Sequence, residues 1–272
     1  MVLHNIVLSR QHAAELMRVC RGLAGRVVMT SSMDVYRAYG RLHGTEPGPP
    51  DPIPADEDAP LRQRLYPYRT AANSPDDWRY HYDKIPAEQA VLGNPDLPGT
   101  VLRLPMVLGP HDPQHRLFPY LKPMLDRRPT IVMQEDYAAW RSTFGYVDNV
   151  AEAMALACTD PRAAGRVYNV ADADLSMLEL GRLVAQAVGW PGEFLLVPRE
   201  ELPESLVAPI DTAHPLVCSA GRIRRELGYR ARVPLEEAIR RTVAWERDNP
   251  PDPIPPGLLD YAAEDAVLGR LR

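Results

Sequence analysis

Three residues of this chain, Ser32, Tyr80 and Lys84, carry side chains that together could move a proton to or from a substrate hydroxyl. Tyr80 and Lys84 are spaced as i and i+4, so on a helix both side chains project from one face. An ammonium beside a phenol favours the phenolate and lowers a pKa that is ordinarily about 10. Such a phenolate can accept a hydroxyl proton while a hydride leaves the same carbon. We therefore predict that Tyr80 and Lys84 point together toward Ser32, whose hydroxyl can bond both the phenol and the substrate oxygen.

The use of lysine supports this choice, because Lys84 and Lys122 are the only lysines in a chain that otherwise relies on arginine. A compact ammonium suits the role better than a guanidinium and can also reach ribose hydroxyls. A Tyr-x-x-x-Lys match is expected by chance in about one such chain in ten, so an ordinary surface lysine beside a half-buried tyrosine stays an alternative. Tyr82 is a rival phenol, but at i+2 on a helix it is predicted to face away from Lys84.

The hydrophobic pattern predicts helices alternating with buried strands. The predicted strands are 26–30, 100–106, 130–133, 167–170 and 194–197, and residues 1–3 are judged too short for a full strand. The predicted helices are 14–20, 78–92, 117–125, one capped by Asp148, one from Ser176 to 188, 221–227 and 235–247. This alternation favours a mainly parallel sheet covered on both faces.

Several motifs follow one another in a recognisable order. They are Thr-Ser-Ser-Met-Asp-Val-Tyr at 30–36, Tyr-His-Tyr-Asp-Lys at 80–84 followed by Glu88, Leu-Arg-Leu-Pro-Met-Val-Leu-Gly-Pro at 102–110, Tyr-Val-Asp-Asn-Val at 146–150, Val-Tyr-Asn-Val at 167–170 and Arg-Glu-Leu-Gly-Tyr at 225–229. The ordered set resembles the NAD-dependent epimerase/dehydratase family, the extended short-chain dehydrogenases. The resemblance covers most of the chain.

The resemblance implies an α/β fold: an incomplete Rossmann-like doubly wound parallel sheet with a smaller α/β substrate-binding region. Residues 1–110 would form the C-terminal part of an NAD(P)-binding domain that includes a Pro-rich loop at 44–60. Residues 111–250 would form the substrate-binding region, with about 144–171 returning to the Rossmann-like part, and 251–272 would be a Pro-rich tail.

The resemblance also implies a role for particular residues. The catalytic residues would be Ser32, Tyr80 and Lys84; NAD or NADP would contact Ser31, Tyr80, Lys84, Pro105, Met106 and Val107; the substrate would contact Ser32, Arg116 and Arg141. Arg141 matches an arginine that clamps a substrate pyrophosphate, although a solvated surface arginine is the competing interpretation. Residues 208–211 lack the arginine of the family's second clamp, which disfavours a nucleotide-sugar substrate.

The family's opening strand, Gly-rich turn and helix, which hold the dinucleotide pyrophosphate, have no match here. Aligned on Ser32, the chain would begin at the end of the family's fourth strand, and a truncated gene or internal start is the simplest expectation. We expect weak dinucleotide binding and a bared sheet edge. Two interpretations stay open: an epimerase, dehydratase or reductase of sugars, sugar nucleotides or related hydroxyl and carbonyl compounds that is inactive as it stands, or a non-catalytic relic or small-molecule binding module.

The composition argues against nucleic acid and membranes as binding partners, so a small-molecule substrate is the expected partner. A net charge of −5 and a pI near 5.8 argue against nucleic acid and anionic membranes. No apolar run approaches a membrane span and no signal peptide is evident, so a cytoplasmic protein is expected. Three widely spaced cysteines predict neither a metal site nor a disulfide framework. A homodimer stays an option.

Overall fold

The computed structural model describes residues 1–271. Its strands are β1 (Val2–His4), β2 (Val27–Ser32), β3 (Gly99–Leu104), β4 (Met106–Leu108), β5 (Thr130–Gln134), β6 (Arg141–Tyr146), β7 (Val167–Asn169), β8 (Ala173–Ser176) and β9 (Glu193–Val197). Its helices are α1 (Arg10–Cys20), α2 (Arg37–Leu42), α3 (Trp78–His81), α4 (Lys84–Leu92), α5 (Phe118–Leu125), α6 (Glu135–Ala139), α7 (Val147–Thr159), α8 (Met177–Val188), α9 (Gly221–Leu227), α10 (Leu235–Asp248) and α11 (Tyr261–Leu271).

The main sheet has the order β1-β2-β3-β7, and all of its pairs are parallel. The register places Ser32, the last residue of β2, opposite Leu104, the last residue of β3. Two smaller sheets, β4-β6-β8 and β5-β9, extend the fold toward the C-terminus, and only the β6-β8 pair is antiparallel. The predicted α/β class with parallel sheets is confirmed.

Both faces of the main sheet are covered, because successive strand residues point to opposite sides. Val27 and Met29 of β2 belong to a buried cluster with residues of α1 and α4. Val28, between them, belongs to a second cluster with residues of α7 and α9. The strands are therefore buried on both sides, as their continuous apolar sequence indicates.

Of the predictions at helix and strand ends, one helix cap is confirmed, and another cap and one strand boundary are wrong. Ser176 caps α8 as predicted, and Glu179 completes a reciprocal capping box with it. The prediction that Asp148 caps its helix is wrong, since α7 begins at Val147 and Asp148 lies in its first turn. The predicted strand 100–106 is two strands, because Pro105 has no N–H to continue the ladder.

Both chain ends contain more regular structure than predicted. Residues 2–4 do form a strand, because parallel pairing to Val27, Val28 and Met29 stabilises even a short segment. Within the predicted Pro-rich tail, 251–272, helix α11 buries Val267 against Val132 and Val197. The last residue of that tail, Arg272, lies outside the described residues. The division into regions 1–110 and 111–250 stays a prediction.

Candidate active site

The carboxyl ends of β1, β2 and β3 meet at one edge of the main sheet, where open α/β folds bind their ligands. Ser32 ends β2 there and is partly exposed. Its Oγ accepts a hydrogen bond of 3.1 Å from the Asp34 amide and so caps the short turn of 3-10 helix at Met33–Val35. The hydroxyl hydrogen of Ser32 is left to donate to another acceptor.

Lys84 is the first residue of α4, and it is buried with only 6% of its surface exposed. Its Nζ donates to the carbonyl oxygens of Val7 at 2.7 Å and Thr30 at 3.3 Å. Burial lowers the pKa of Lys84, while the nearby Asp34 and Glu88 carboxylates act in the opposite direction. An ammonium has three donors, so one remains for a ligand.

Glu88 fixes α4 against the sheet one turn after Lys84. Its carboxylate is buried, accepts two hydrogen bonds from the Arg103 guanidinium at 2.8 and 3.1 Å, and accepts the Ser31 hydroxyl at 2.5 Å. Such bidentate, charge-assisted pairing holds both partners in a defined geometry. Ser31, predicted as a cofactor contact, therefore uses its hydroxyl within the protein.

The prediction that Tyr80 and Lys84 share one helix is wrong. Helix α3 ends at His81, Tyr82 is extended, and Asp83 caps the N-terminus of α4 by accepting the Ile85 amide at 3.0 Å. The Asp83 carboxylate also forms a buried ion pair with Arg62 at 3.2 Å. This long-range pair and the cap hold the backbone out of helical geometry between the two residues.

The contacts of Tyr80 are with residues other than Ser32 and Lys84. Its ring is half-buried, 4.8 Å from the Arg69 guanidinium carbon and 5.0 Å from the His81 ring. The Tyr80 carbonyl accepts from Arg69 Nε at 3.1 Å. Within residues 1–271, no hydrogen bond joins the Tyr80 hydroxyl to Ser32 or Lys84.

Tyr82 lies near Lys84 instead. The prediction that Tyr82 faces away is wrong because the two residues do not share one helix. The Lys84 Nζ lies 5.7 Å from the centroid of the Tyr82 ring. The Tyr82 hydroxyl donates to Oδ2 of Asp34 at 2.8 Å. Burial and the adjacent Asp34 carboxylate raise the pKa of Tyr82, which opposes phenolate formation.

A cluster of phenols surrounds the buried Asp34. Besides Tyr82, the Tyr68 hydroxyl lies 3.4 Å from Oδ2 of Asp34, and the hydroxyls of Tyr68 and Tyr39 are 2.7 Å apart. Burial raises the pKa of Asp34, although the nearby Arg62 counteracts this. Oδ1 of Asp34 has no hydrogen-bond partner among the described residues.

The sequence predicted that Tyr82 faces away from Lys84 and gave Asp34 no role, yet it contains one usable signal for the helix break. Pro86 lies in the first turn of α4, a position that proline tolerates because the amides there have no helical partner. Asp83 followed by Pro86 is therefore a helix start, and it excludes a continuous helix through Tyr80 and Lys84. No comparable local signal pairs Tyr82 with Asp34.

The residues that follow β3 and were predicted to contact the cofactor or substrate make contacts within the protein. Pro105 separates β3 from β4, and the Val107 carbonyl accepts from Arg116 Nη1 at 3.1 Å. Arg116 also forms an ion pair with the buried Asp112. Its guanidinium, predicted to contact the substrate, is already bonded on two sides.

Arg141 begins β6 and its side chain is 44% exposed. Its guanidinium pairs with Glu179 at 3.3 Å and donates to the Asp174 carbonyl at 2.9 Å. No hydrogen bond or ion pair among residues 1–271 brings it together with Ser32 or Lys84. The predicted clamp role stays a prediction that these contacts do not support.

Two further properties bear on the class of site. Among residues 1–271, no group of three or more His, Cys, Asp or Glu side chains is arranged to hold a metal ion. Within the same residues, no helix has both the length and the apolar character needed to cross a bilayer.

A parallel sheet with helices on both faces, and with Ser32 and Lys84 at its carboxyl edge, defines a Rossmann-like α/β protein. The model of the NAD dependent epimerase/dehydratase family matches residues 3–171. The chain belongs to this family. No curated protein sequence matches it significantly.

Solved structures share the fold at low sequence identity. An epimerase from Methanothermobacter thermautotrophicus has a TM-score of 0.62 and 17% identity over 88% of this chain and 64% of its own. UDP-glucuronic acid 4-epimerase from Bacillus cereus, in complex with UDP-glucuronic acid and NAD, has a TM-score of 0.60 and 17% identity over 88% and 67%. DesIV, a dTDP-glucose 4,6-dehydratase from Streptomyces venezuelae with NAD and TYD bound, has a TM-score of 0.60 and 22% identity over 89% and 66%. The chain thus spans about two thirds or less of these proteins.

Proposed function

We propose that this chain provides the catalytic face of an NAD(P)-dependent epimerase, dehydratase or reductase that acts on a hydroxyl or carbonyl group of a sugar, a sugar nucleotide or a related compound. The observation that carries the proposal is the buried Lys84 ammonium at the carboxyl edge of the sheet, beside the end of the strand that carries Ser32. A buried ammonium is costly unless it is used or well paired, and one of its donors is still available.

The proton-transfer residue in this proposal is Tyr80. Tyr82 lies beside Lys84, but its hydroxyl is bonded to a carboxylate and its raised pKa keeps the phenol protonated, so it cannot accept a proton. Tyr80 is the phenol at the Tyr-x-x-x-Lys spacing that resembles the family's, and among the described residues its hydroxyl makes no hydrogen bond to a carboxylate. Reaching Lys84 would require the Tyr82–Asp83 linkage between α3 and α4 to rearrange locally, because Pro86 disfavours a continuous helix through it.

The described residues fit one end of a nicotinamide dinucleotide. Lys84 and Ser32 could hold the ribose and the substrate oxygen, and the backbone at Pro105–Val107 could lie against the nicotinamide, which when bound would supply the hydride acceptor or donor. The turn between β1 and α1, residues 5–9, contains no glycine, and its Val7 carbonyl accepts from Lys84. That turn offers no cradle for a pyrophosphate.

A non-catalytic binding module of the same fold is the second candidate. Two observations favour it: Lys84 already donates to two main-chain carbonyls, and Tyr80 packs against Arg69 instead of Lys84. This candidate needs a ligand pocket but no proton transfer.

The two candidates can be separated with substitutions at the two lysines. The purified chain is incubated with millimolar NAD⁺ or NADP⁺ and candidate alcohols while absorbance of the reduced cofactor is followed. We expect slow turnover that Lys84→Met and Tyr80→Phe each reduce by about a hundredfold or more. Lys122→Met, at a partly exposed lysine that pairs with Asp126 on α5, is the matched control and should retain full activity.

Tyr82→Phe distinguishes the two phenols. It should retain turnover if Tyr80 carries the proton, and should abolish it if Tyr82 does. Turnover that is unchanged in Lys84→Met, or none at saturating cofactor in any variant, would count against the catalytic proposal and favour the binding module.

A further inference from the structure

A cavity of about 300 Å³ lies beyond the carboxyl end of β3, between β5 and the segment that leads into α11. Met106 forms part of its wall, two residues after Leu104, which is the register partner of Ser32. A larger groove of about 650 Å³ lies at the amino ends of β5 and β9 and does not include any predicted site residue. The smaller cavity is lined by two of the predicted cofactor and substrate residues, Met106 and Arg116.

The wall of this cavity is mostly apolar. It includes Met106, Tyr120, Met133, Phe144, Met177 and Leu258. Most of these side chains are anchored in the main C-terminal core, so the surface they present is preformed. The lining thus favours a ligand with an apolar body.

The charges at the cavity disfavour an anionic ligand. Arg116 is the one cation in the wall among the residues the structure describes, and it is already bonded to Asp112 and to the Val107 carbonyl. Asp260 lines the side nearest α11, and Glu264 beside it is already paired with Arg128 at 3.1 Å. A diphosphate placed here would meet the Asp260 carboxylate without a free cation to offset its charge.

The arginine predicted to clamp a pyrophosphate does not add a free positive charge to the cavity. Arg141 is not part of the cavity wall, and Glu179 and the Asp174 carbonyl already accept its donors. Since residues 208–211 supply no arginine either, neither of the two expected clamp positions directs a cation into the cavity.

We propose that the substrate is an uncharged alcohol or carbonyl compound with an aromatic or aliphatic body, and that this cavity holds that body while the reacting oxygen lies toward Ser32. The proposal rests on the proposed function and narrows its substrate class away from nucleotide sugars. The segment 257–260 forms one wall, so the C-terminal region takes part in selecting the substrate.

Calorimetric titration without any dinucleotide tests the proposal, with 2-naphthol as an uncharged aromatic alcohol and UDP-glucose as a nucleotide sugar. We expect saturable binding of 2-naphthol and no saturable heat for UDP-glucose up to millimolar concentration. Leu258→Asp places a carboxylate in the wall and should weaken 2-naphthol binding about tenfold or more. Leu23→Asp adds the same charge at a residue that is 84% exposed and outside the cavity wall, and it should leave binding unchanged.

Three results would overturn the proposal: no binding of 2-naphthol, equal binding by the wild type and Leu258→Asp when circular dichroism shows both folded, or UDP-glucose binding that Leu258→Asp weakens. None of these measurements depends on hydride transfer. Binding of 2-naphthol as expected, together with absence of Lys84-dependent turnover, would therefore contradict the proposed function and leave the ligand class intact.

Discussion

The Tyr82 hydroxyl donates to Oδ2 of Asp34 at 2.8 Å, across a sequence separation of 48 residues. This bond joins the extended residue between α3 and α4 to the turn that follows β2. It places a buried carboxylate within the same cluster as Lys84, whose pKa Asp34 acts to raise. Tyr82 and Asp34 therefore fix the chain between α3 and α4 beside Lys84, although the sequence assigned a role to neither.

Removing this bond should destabilise the fold. We expect Tyr82→Phe to lower the free energy of unfolding by about 1–2 kcal/mol, because Asp34 is left buried with fewer donors. Tyr261→Phe removes a phenol–carboxylate bond to Asp126 that lies at the surface, and a smaller loss is expected there. Urea denaturation of both variants checks this, and equal losses would show that the Tyr82 bond is no more important than a surface one.

Asp34 should make stability depend on pH. Burial raises its pKa in the folded protein above the ordinary value of about 4, so the folded state binds a proton more readily than the unfolded state. Its contribution is fully present below about pH 4 and is lost as the pH rises through the raised folded value. The Asp34→Asn variant has no carboxyl to ionise at this position and does not lose this stability. The free energy of unfolding of the variant should therefore rise relative to that of the wild type between pH 4 and 8. Denaturation curves across this range measure the trend, and a constant difference would contradict it.

Glu264 on α11 should produce a second pH dependence at a higher range. Burial raises its pKa to about 7, despite the Arg128 guanidinium 3.1 Å away. Stability from the protonated form is complete below about pH 4 and is lost as the pH rises through 7, by on the order of 3 kcal/mol. Glu264→Gln should abolish most of this loss in thermal unfolding measured at pH 5, 6, 7 and 8.

Asp265 provides the matched control for Glu264, because it pairs with the same Arg128 but is 64% exposed. Asp265→Asn should keep the pH dependence of the wild type. If both variants flatten the profile equally, the arginine and not the buried carboxyl is responsible.

The Glu88–Arg103 pair should be required for folding stability. Both side chains are almost fully buried, so Glu88→Gln leaves the guanidinium without its counter-charge and should cost about 3–5 kcal/mol. The Glu15–Arg18 pair on α1 is exposed, and Glu15→Gln should have no measurable effect. Chemical denaturation of the two variants compares them, and a minor effect at Glu88 would contradict the anchoring role of this pair.

The chain should bind dinucleotides weakly. The turn at residues 5–9 lacks glycine, and Lys84 has one free donor, whereas a pyrophosphate normally meets several convergent amides. Calorimetric titration with NAD(H) and NADP(H) should give no saturable heat at micromolar concentrations. Micromolar binding by a monodisperse monomer would falsify this expectation and direct attention to a phosphate site elsewhere in the described residues.

The sequence alone predicted the α/β class, the family and many of the longer strands and helices, since these depend on local signals. Alternating apolar segments, the Ser176 capping box and the Ser-Ser motif at the end of β2 are read within a few residues of the chain. Ser32 was also predicted to lie at the end of a strand, and it is the last residue of β2.

Only the tertiary structure decided which tyrosine lies near Lys84. The i,i+4 rule holds along one helix, and the ion pair between Asp83 and Arg62, residues 21 apart in sequence, holds the chain out of that helix. The bond from Tyr82 to Asp34 likewise joins distant segments. Ion pairs and hydrogen bonds of this kind form only when distant segments pack together. No local pattern in the sequence specifies which polar groups become partners.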